Sequence, residues 1–436
     1  MGMVVDFHNT PKEEKFMIGT RALILWFLVG WLGMCMTGLS HARDAQDTPR
    51  VYTLEEIVHL ILRHNPLVKK GNAFIEKKQS QTIMAGAYPN PSLDVQAGYS
   101  EFRDSATSIS TLERYITLSQ PFEWSPKRKA RKQAALEGLK GAHKALEETH
   151  IQLQAAGKLA FYELLMAEKQ VELAFQNVKI VEELKQAVKS RVNAGEAPPF
   201  EEVKINVELL QVQKEISSAN SAVRAARASL HSLTAGALST RFTIQGSFKS
   251  WPGDVDLDSL IATTLEQHPT VEKLRTFLNQ ARQSLIQEKE ARIPNVTFSA
   301  SYQRDAGREA YLGGLTVPLP LWYQREGEIA YALGIQHQIE ADLLQWKYDT
   351  MRDVIRSFEQ SQAAAAQINT YTKGLLKQAE EAVRIARVSF QYGEASLLEV
   401  LDAQRVLWQA MLGYAQAQYD LSIALTQLEQ LIGREI

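Results

Sequence analysis

Cysteine is almost absent: 436 residues contain one, Cys35. A single thiol excludes a disulfide framework and any zinc site built from paired cysteines. Charge of one sign is not in excess either. The net charge of −2 argues against a nucleic-acid-binding surface, which needs a strong basic balance. Also missing are a Gly-rich phosphate loop, a Ser nucleophile elbow and a His-Glu-x-x-His pair, so nothing supports catalysis and no cofactor is implied. Proline is the most telling absence, with none in 127–197 and none in 321–436.

What is present begins with an export address. Arg21 precedes an apolar run over 22–39, followed by Ser40-His41-Ala42. Small residues at 40 and 42 predict signal-peptide cleavage after Ala42. The run is nearly long enough for a retained anchor helix, but the polar Arg43-Asp44 that follow favour cleavage. Met17 opens a more conventional signal peptide than Met1 does. Cys35 lies inside the run, behind a bulky Met34 and ahead of further apolar residues, which argues against a lipoprotein. Cleavage at Ala42 leaves a mature chain without cysteine.

The chain is written twice. Residues 54–99 align without a gap onto 257–302 at an offset of 203, with Leu54/Leu257, Pro66/Pro269, Phe74/Phe277, Pro91/Pro294 and Tyr99/Tyr302 among the identical pairs. The match resumes at offset 197 with Leu118/Leu315, Pro121/Pro318, Arg128/Arg325 and Leu136/Leu333. Gly195-Glu196-Ala197 then pairs with Gly393-Glu394-Ala395 at offset 198. The expected organisation is a signal peptide 1–42, a linker 43–53, repeat one 54–238, a linker 239–256 and repeat two 257–436. Each repeat is read as a helix, two strands (92–120; 294–319), a long helix (127–192; 324–391) and a return helix (199–235; 396–433).

The proline-free stretches are rich in Ala, Leu, Glu, Gln and Lys, the good helix formers. A single helix over either spans about 100 Å at 1.5 Å per residue, which suits a duct crossing a periplasm and no compact domain. Return-helix seams step three and four residues: Ile205, Leu209, Val212, Ile216, Ala219, Val223, Ala226, Leu230; then Val400, Ala403, Leu407, Ala410, Tyr414, Ala417, Leu421, Ala424, Leu428. A sustained seven-residue period implies left-handed supercoiling against a partner helix. Gly195 and Gly393 sit where a left-handed C-cap is expected, and Ser396 and Glu399 have capping-box spacing.

Between the helices the pattern alternates. Leu93, Val95, Ala97 and Tyr99 share one face; so do Leu112, Ile116 and Leu118, with Arg114 breaking the run. Val296, Phe298, Ala300 and Tyr302, then Tyr311, Gly313 and Leu315, repeat it. Strands of this length fit an outer membrane, although a soluble sheet face alternates in the same way. In lipid, four strands cannot close a barrel and open edges are not tolerated, so a membrane-spanning reading requires several chains; three supply twelve strands.

Three segments carry a family resemblance: Gln120-Pro-Phe-Glu-Trp-Ser-Pro-Lys-Arg128, Val317-Pro-Leu-Pro-Leu-Trp-Tyr-Gln-Arg-Glu-Gly-Glu-Ile329 and Tyr392-Gly-Glu-Ala-Ser-Leu-Leu-Glu-Val-Leu-Asp-Ala-Gln-Arg405. With the layout above, the mature chain resembles the TolC-like outer-membrane efflux family. The first two segments resemble its heavy-metal branch, which serves cobalt–zinc–cadmium or copper–silver resistance. The resemblance implies a mixed α and β membrane protein of a Gram-negative bacterium. It would be a homotrimer with a twelve-stranded outer-membrane β-barrel in lipid, continued by a periplasmic twelve-helix α-barrel. Its implied partners are a periplasmic adaptor protein and a proton-driven RND-type inner-membrane transporter. The adaptor contact falls on the hairpin tips, at Arg191 and Gly195 in the first copy and Phe390, Tyr392 and Gly393 in the second.

In a metal exporter, His143, Glu147 and His150 on one helical face are a candidate transient cation site, although a solvated helix surface shows the same spacing. Arg384, Arg387 and Glu394 are candidates for a charged gate, and salt bridges within the coiled coil would use the same residues. Two other readings remain: the exit duct of a drug-efflux or protein-secretion system, and a periplasmic coiled-coil adaptor or scaffold with no barrel.

Overall fold

The computed structural model describes residues 50–104, 107–253, 255–305 and 307–436. The order is β1 (Val51–Tyr52), α1 (Leu54–His64), α2 (Pro66–Gly86), β2 (Ser92–Asp104), β3 (Thr107–Phe122), α3 (Ser125–Asn193) and α4 (Pro199–Leu233). Then follow β4 (Thr243–Ile244), α5 (Leu257–Gln267), α6 (Pro269–Glu290), β5 (Val296–Asp305) and β6 (Arg308–Thr316). The chain ends in α7 (Glu326–Thr370), a π-helical turn (Tyr371–Leu375), α8 (Leu376–Gln391) and α9 (Leu397–Ile432). No helix among the described residues is long and apolar enough to cross a membrane.

Two expectations need correction. The single helix expected before each strand pair is two helices, α1/α2 and α5/α6. Pro66 and Pro269 lack an N–H and push the preceding residue out of the helical region, so Asn65 and His268 take extended ψ values of 132° and 136°. Secondly, the long helix expected over 324–391 is interrupted. The π-helical turn, with non-helical Gly374 inside it, separates α7 from α8. A widened turn accommodates one extra residue, and the repeat offset rises from 197 to 198 across this helix. Tyr371 in the turn lies against Gly413, where a Cβ would collide with the phenolic oxygen. By contrast α3 runs 69 residues unbroken, about 100 Å.

Asn65 and His268 do the same two jobs. Asn65 Oδ1 accepts from the Leu67 N–H at 2.9 Å while Nδ2 donates to Leu233 O at 2.9 Å, tying the start of α2 to the end of α4. His268 Nδ1 accepts from the Thr270 N–H at 3.1 Å, and Nε2 faces Gln430 O at 3.4 Å, near the end of α9. The buried ring stacks obliquely on Trp346 at 5.4 Å. Because Nδ1 accepts, the ring must be neutral. Burial depresses its pKa below the ordinary 6.5, against the opposing pull of Gln430 O and Glu148. The clasp therefore contributes fully above about pH 6.5 and is lost as pH falls through the depressed folded value. His268→Asn, the first copy's solution, is expected to keep the clasp and flatten thermal stability between about pH 7 and 5. Melting curves across that range check this; an unchanged slope would contradict it.

The sheet order is β2-β3-β5-β6, antiparallel throughout, and both edges, β2 and β6, are unpaired in the single chain. A separate parallel pair, β1 with β4, lies within the two stretches read as linkers. It closes over a core of Ile57, Ile61, Phe161, Leu164, Leu230 and Phe242. Beside that core, Glu429 of α9 accepts from Lys158 of α3 at 3.0 Å and from Lys249 at 2.5 Å, and Lys158 also reaches Glu435 at 2.6 Å. Burial works against the charge of Lys158, yet the hydrogen-bonded carboxylates of Glu435 and Glu429 carry its pKa above the usual lysine value.

Candidate functional site

The pairing register sorts the sheet into two chemically distinct faces. Across the strands, Leu93 meets Leu118, then Ala300, then Gly313; Val95 meets Ile116, Tyr302 and Tyr311. Because side chains alternate, these rows share one face with Phe298 and Leu315. The opposite face carries Asp94, Gln96, Ser119, Thr117, Ser299, Ser301 and Gln303, with Thr117 Oγ1 donating to Ser301 Oγ at 3.2 Å. Leu93, Val95, Leu118, Phe298 and Leu315 are all more than half exposed, which water does not tolerate over a contiguous patch. At the helix-proximal end an aromatic belt adds Phe122, Trp322 and Tyr323, with Trp322 at 94% exposure. Tyr99, Tyr302 and Tyr311 lie toward the other end. An apolar band between two aromatic zones, backed by a polar face, is the pattern of a lipid-facing barrel wall.

At the far end of the helices lie the two tips. Gly195 and Gly393 take φ values of 76° and 77°, the left-handed region. They allow Glu196 to donate to Arg191 O at 2.9 Å and Glu394 to Ser389 O at 2.8 Å. Ser396 and Glu399 complete a capping box at the start of α9. The structure joins two residues from different copies: Arg191 stacks on the Phe390 ring at 4.6 Å and donates to Phe390 O at 3.2 Å. Phe390 is itself buried with Val188, Ile205 and Leu397. Thus Arg191 fastens one hairpin to the other, and Tyr392 is an exposed aromatic at the second tip. Phe200 and Leu398, 70% and 58% exposed at equivalent starts of α4 and α9, were not singled out from the sequence. Their signal is an apolar residue at the first turn of each return helix.

Arg384 pairs with Glu381 one turn away at 2.5 Å, as expected of a coiled-coil surface. Arg384 and Glu394 are exposed and Arg387 half-buried. His143 and Glu147 are exposed, His150 half-buried, and Glu147 is engaged by Lys144 at 2.9 Å. Among the described residues no group of His, Cys, Asp or Glu is arranged to hold a metal ion. Ala42, the expected cleavage site, lies outside the described residues.

The outer membrane efflux protein family model matches twice, over residues 57–236 and 260–434. The chain belongs to the outer membrane efflux protein family. Its location is accordingly the outer membrane and the periplasm beneath it. This efflux protein is 27% identical over 385 residues to the cobalt-zinc-cadmium resistance protein CzcC of Cupriavidus metallidurans, covering 88% of this chain and 90% of that one. It is 22% identical to the pyoverdine export outer membrane protein OpmQ of Pseudomonas aeruginosa, covering 91% and 87%. The fold is that of solved outer-membrane and transmembrane-channel proteins: CusC superposes with a TM-score of 0.76 at 16% identity, covering 91% of this chain and 96% of that one. VceC of Vibrio cholerae gives 0.73 at 19%, covering 88% and 96%.

Proposed function

We propose that three copies of this efflux protein form the outer-membrane exit duct of a tripartite pump, which expels heavy-metal cations from the periplasm. The observation that carries the reading is the four-stranded sheet with two open edges and one apolar face. Lipid leaves no water to satisfy an open edge, so β6 of one chain must pair with β2 of the next. Three chains give twelve strands, an even number within the range of outer-membrane barrels. The helices favour the same assembly. Phe200, Val203, Val207 and Leu210 form an exposed apolar stripe on α4, spaced as a second seam for a neighbouring helix. An apolar groove of about 490 Å³ between α6 and α7 also lies open in the single chain.

The polar face of the sheet then lines the lumen. The duct holds no energy source of its own; a periplasmic adaptor docks at the tips, near Tyr392, and links it to a proton-driven RND-type transporter. The heavy-metal cargo rests on the similarity to CzcC; the second reading is export of an organic molecule, for which the pyoverdine export protein OpmQ is the similar case and a drug the cargo to test. Deleting the gene separates them. Loss of zinc, cobalt or cadmium tolerance, with drug tolerance unchanged, is the expected outcome. Loss of drug tolerance alone would replace the cargo while leaving the duct.

A further inference from the structure

One row on the lipid-facing side of the sheet is not apolar. Arg114 of β3 and Arg304 of β5 are direct cross-strand partners, and both are exposed. Like charges placed directly opposite each other destabilise a sheet. The row is completed by Ala97 on β2 and Glu309 on β6. Glu309 reaches Arg304 at 3.6 Å, with both side chains about half exposed. Among the described residues, Arg114 has no carboxylate within salt-bridge distance. The only other described carboxylate on this face, Glu101, lies four residues along β2 from Ala97 and has its own interaction. Each chain therefore presents more positive than negative charge in this row.

We propose that Arg114 and Arg304 together bind the phosphate groups of a phosphorylated glycolipid in the outer leaflet of the outer membrane. The inference rests on the duct reading, in which this face meets lipid. Three placements support it. Arg304 is the residue before the last in β5, at the end of the shorter β5–β6 hairpin away from the helices, while β2 and β3 run on past the row to Asp104 and Thr107; the row thus lies in the half of the sheet remote from the helices. Tyr302 and Tyr311 form the row just below, marking the interface where an apolar band gives way to headgroups. Finally, β3 and β5 are the two central strands, so the neighbours across the row are already fixed as Ala97 and Glu309. A carboxylate from an adjoining chain would have to cross a whole strand to reach the pair. An anion arriving from the membrane needs no such path. Two adjacent guanidinium forks suit two phosphates, because each fork can donate two parallel hydrogen bonds to one phosphate.

The test uses the full mature chain, extracted in nonionic detergent and titrated with bisphosphorylated lipid A while bound lipid is counted by native mass spectrometry. Wild-type protein is expected to bind about one lipid A per chain, and Arg114→Gln/Arg304→Gln to bind at least about tenfold more weakly. Arg114→Lys/Arg304→Lys, which keeps charge but loses the fork, is expected between the two. Equal affinity of the Gln variant would overturn the proposal. So would displacement of lipid A by inorganic phosphate at equal concentration, which would mark a site for the free ion. Both proteins are first run unheated on a gel and traced by fractionation. A wild-type monomer outside the outer membrane defeats the duct reading and this proposal together; trimers of both proteins with equal lipid A binding defeat the proposal alone. Should the double variant fail to assemble, Arg114→Gln by itself, in a central strand at an exposed position, gives the same reading.

Discussion

Replacing Glu429 by Ala lowers the stability of the helical body by about 3–5 kcal/mol, the cost of removing one partner from a buried ion cluster. Glu429 is 7% exposed and neutralises two lysines at once, Lys158 on α3 and Lys249 in the segment between the repeats. Without it, Lys249 loses the ion pair that holds it, and Lys158 keeps only Glu435, which is 81% exposed on its side chain. The segment around Lys249 keeps other anchors: the Lys249 N–H donates to Ser422 Oγ at 2.9 Å, Phe248 stacks on Tyr162 and Trp251 packs on Phe358. The same cluster joins first-copy α3 to second-copy α9, so the loss weakens the contact between copies rather than one hairpin. A melting curve followed by helical circular dichroism reads the effect. The triple variant Lys158→Met/Lys249→Met/Glu429→Leu should recover much of the loss, because replacing all three members of the cluster leaves no unpaired buried charge. A midpoint unchanged in Glu429→Ala would show that water already screens the cluster.

Arginine placed on the two faces of β3 separates a membrane wall from a soluble sheet. Leu118 lies on the apolar face, flanked by Leu93 and Ala300, and Ser119 on the polar face. In lipid, Leu118→Arg costs about 2–4 kcal/mol if it lies near the midplane, whereas lumen-facing Ser119→Arg costs little. Leu118→Arg is therefore expected to deplete the trimer in the outer membrane severalfold, with Ser119→Arg near wild-type yield. A soluble scaffold predicts the reverse of a contrast: Leu118 is already 51% exposed, and water accepts arginine there. Equal yields for the two variants would count for the scaffold.

Much of this architecture is legible before any coordinates. Duplication, proline-free stretches and period-seven seams fall where α3, α4 and α9 lie, and the seam residues Ile205, Val212, Ala219, Leu407, Ala417 and Leu428 are buried. Pairwise chemistry is less legible. Arg114 reads as a flaw in an alternating strand; only the register shows it opposite Arg304. Arg191 reads as a tip residue free for a partner, because nothing local says that Phe390, 199 positions away, comes to meet it. Some misses had a signal. Pro66 and Pro269 announce a break that helical periodicity runs through, and the step in offset from 197 to 198 marks an inserted residue in the second long helix. A repeat comparison detects such an insertion, whereas helix propensity is blind to it. The exposed stripe Phe200, Val203, Val207 and Leu210 is hidden for a different reason: two seams on one helix blur each other's period.

Closure of the sheet by neighbouring chains is the central claim, and cysteine cross-linking tests it directly. The sole cysteine, Cys35, precedes the expected cleavage site, so the mature chain offers a cysteine-free background. Within one chain β2 and β6 are separated by β3 and β5, about 14 Å across, beyond the reach of a disulfide. Leu93, Val95 and Ala97 are changed to Cys one at a time, each combined with Tyr311→Cys or Gly313→Cys, in intact cells under mild oxidation. A closed ring of three predicts a non-reducing ladder of monomer, dimer and trimer for at least one pair, with nothing larger. Monomer alone at every pair, or a ladder running past trimer, would contradict it.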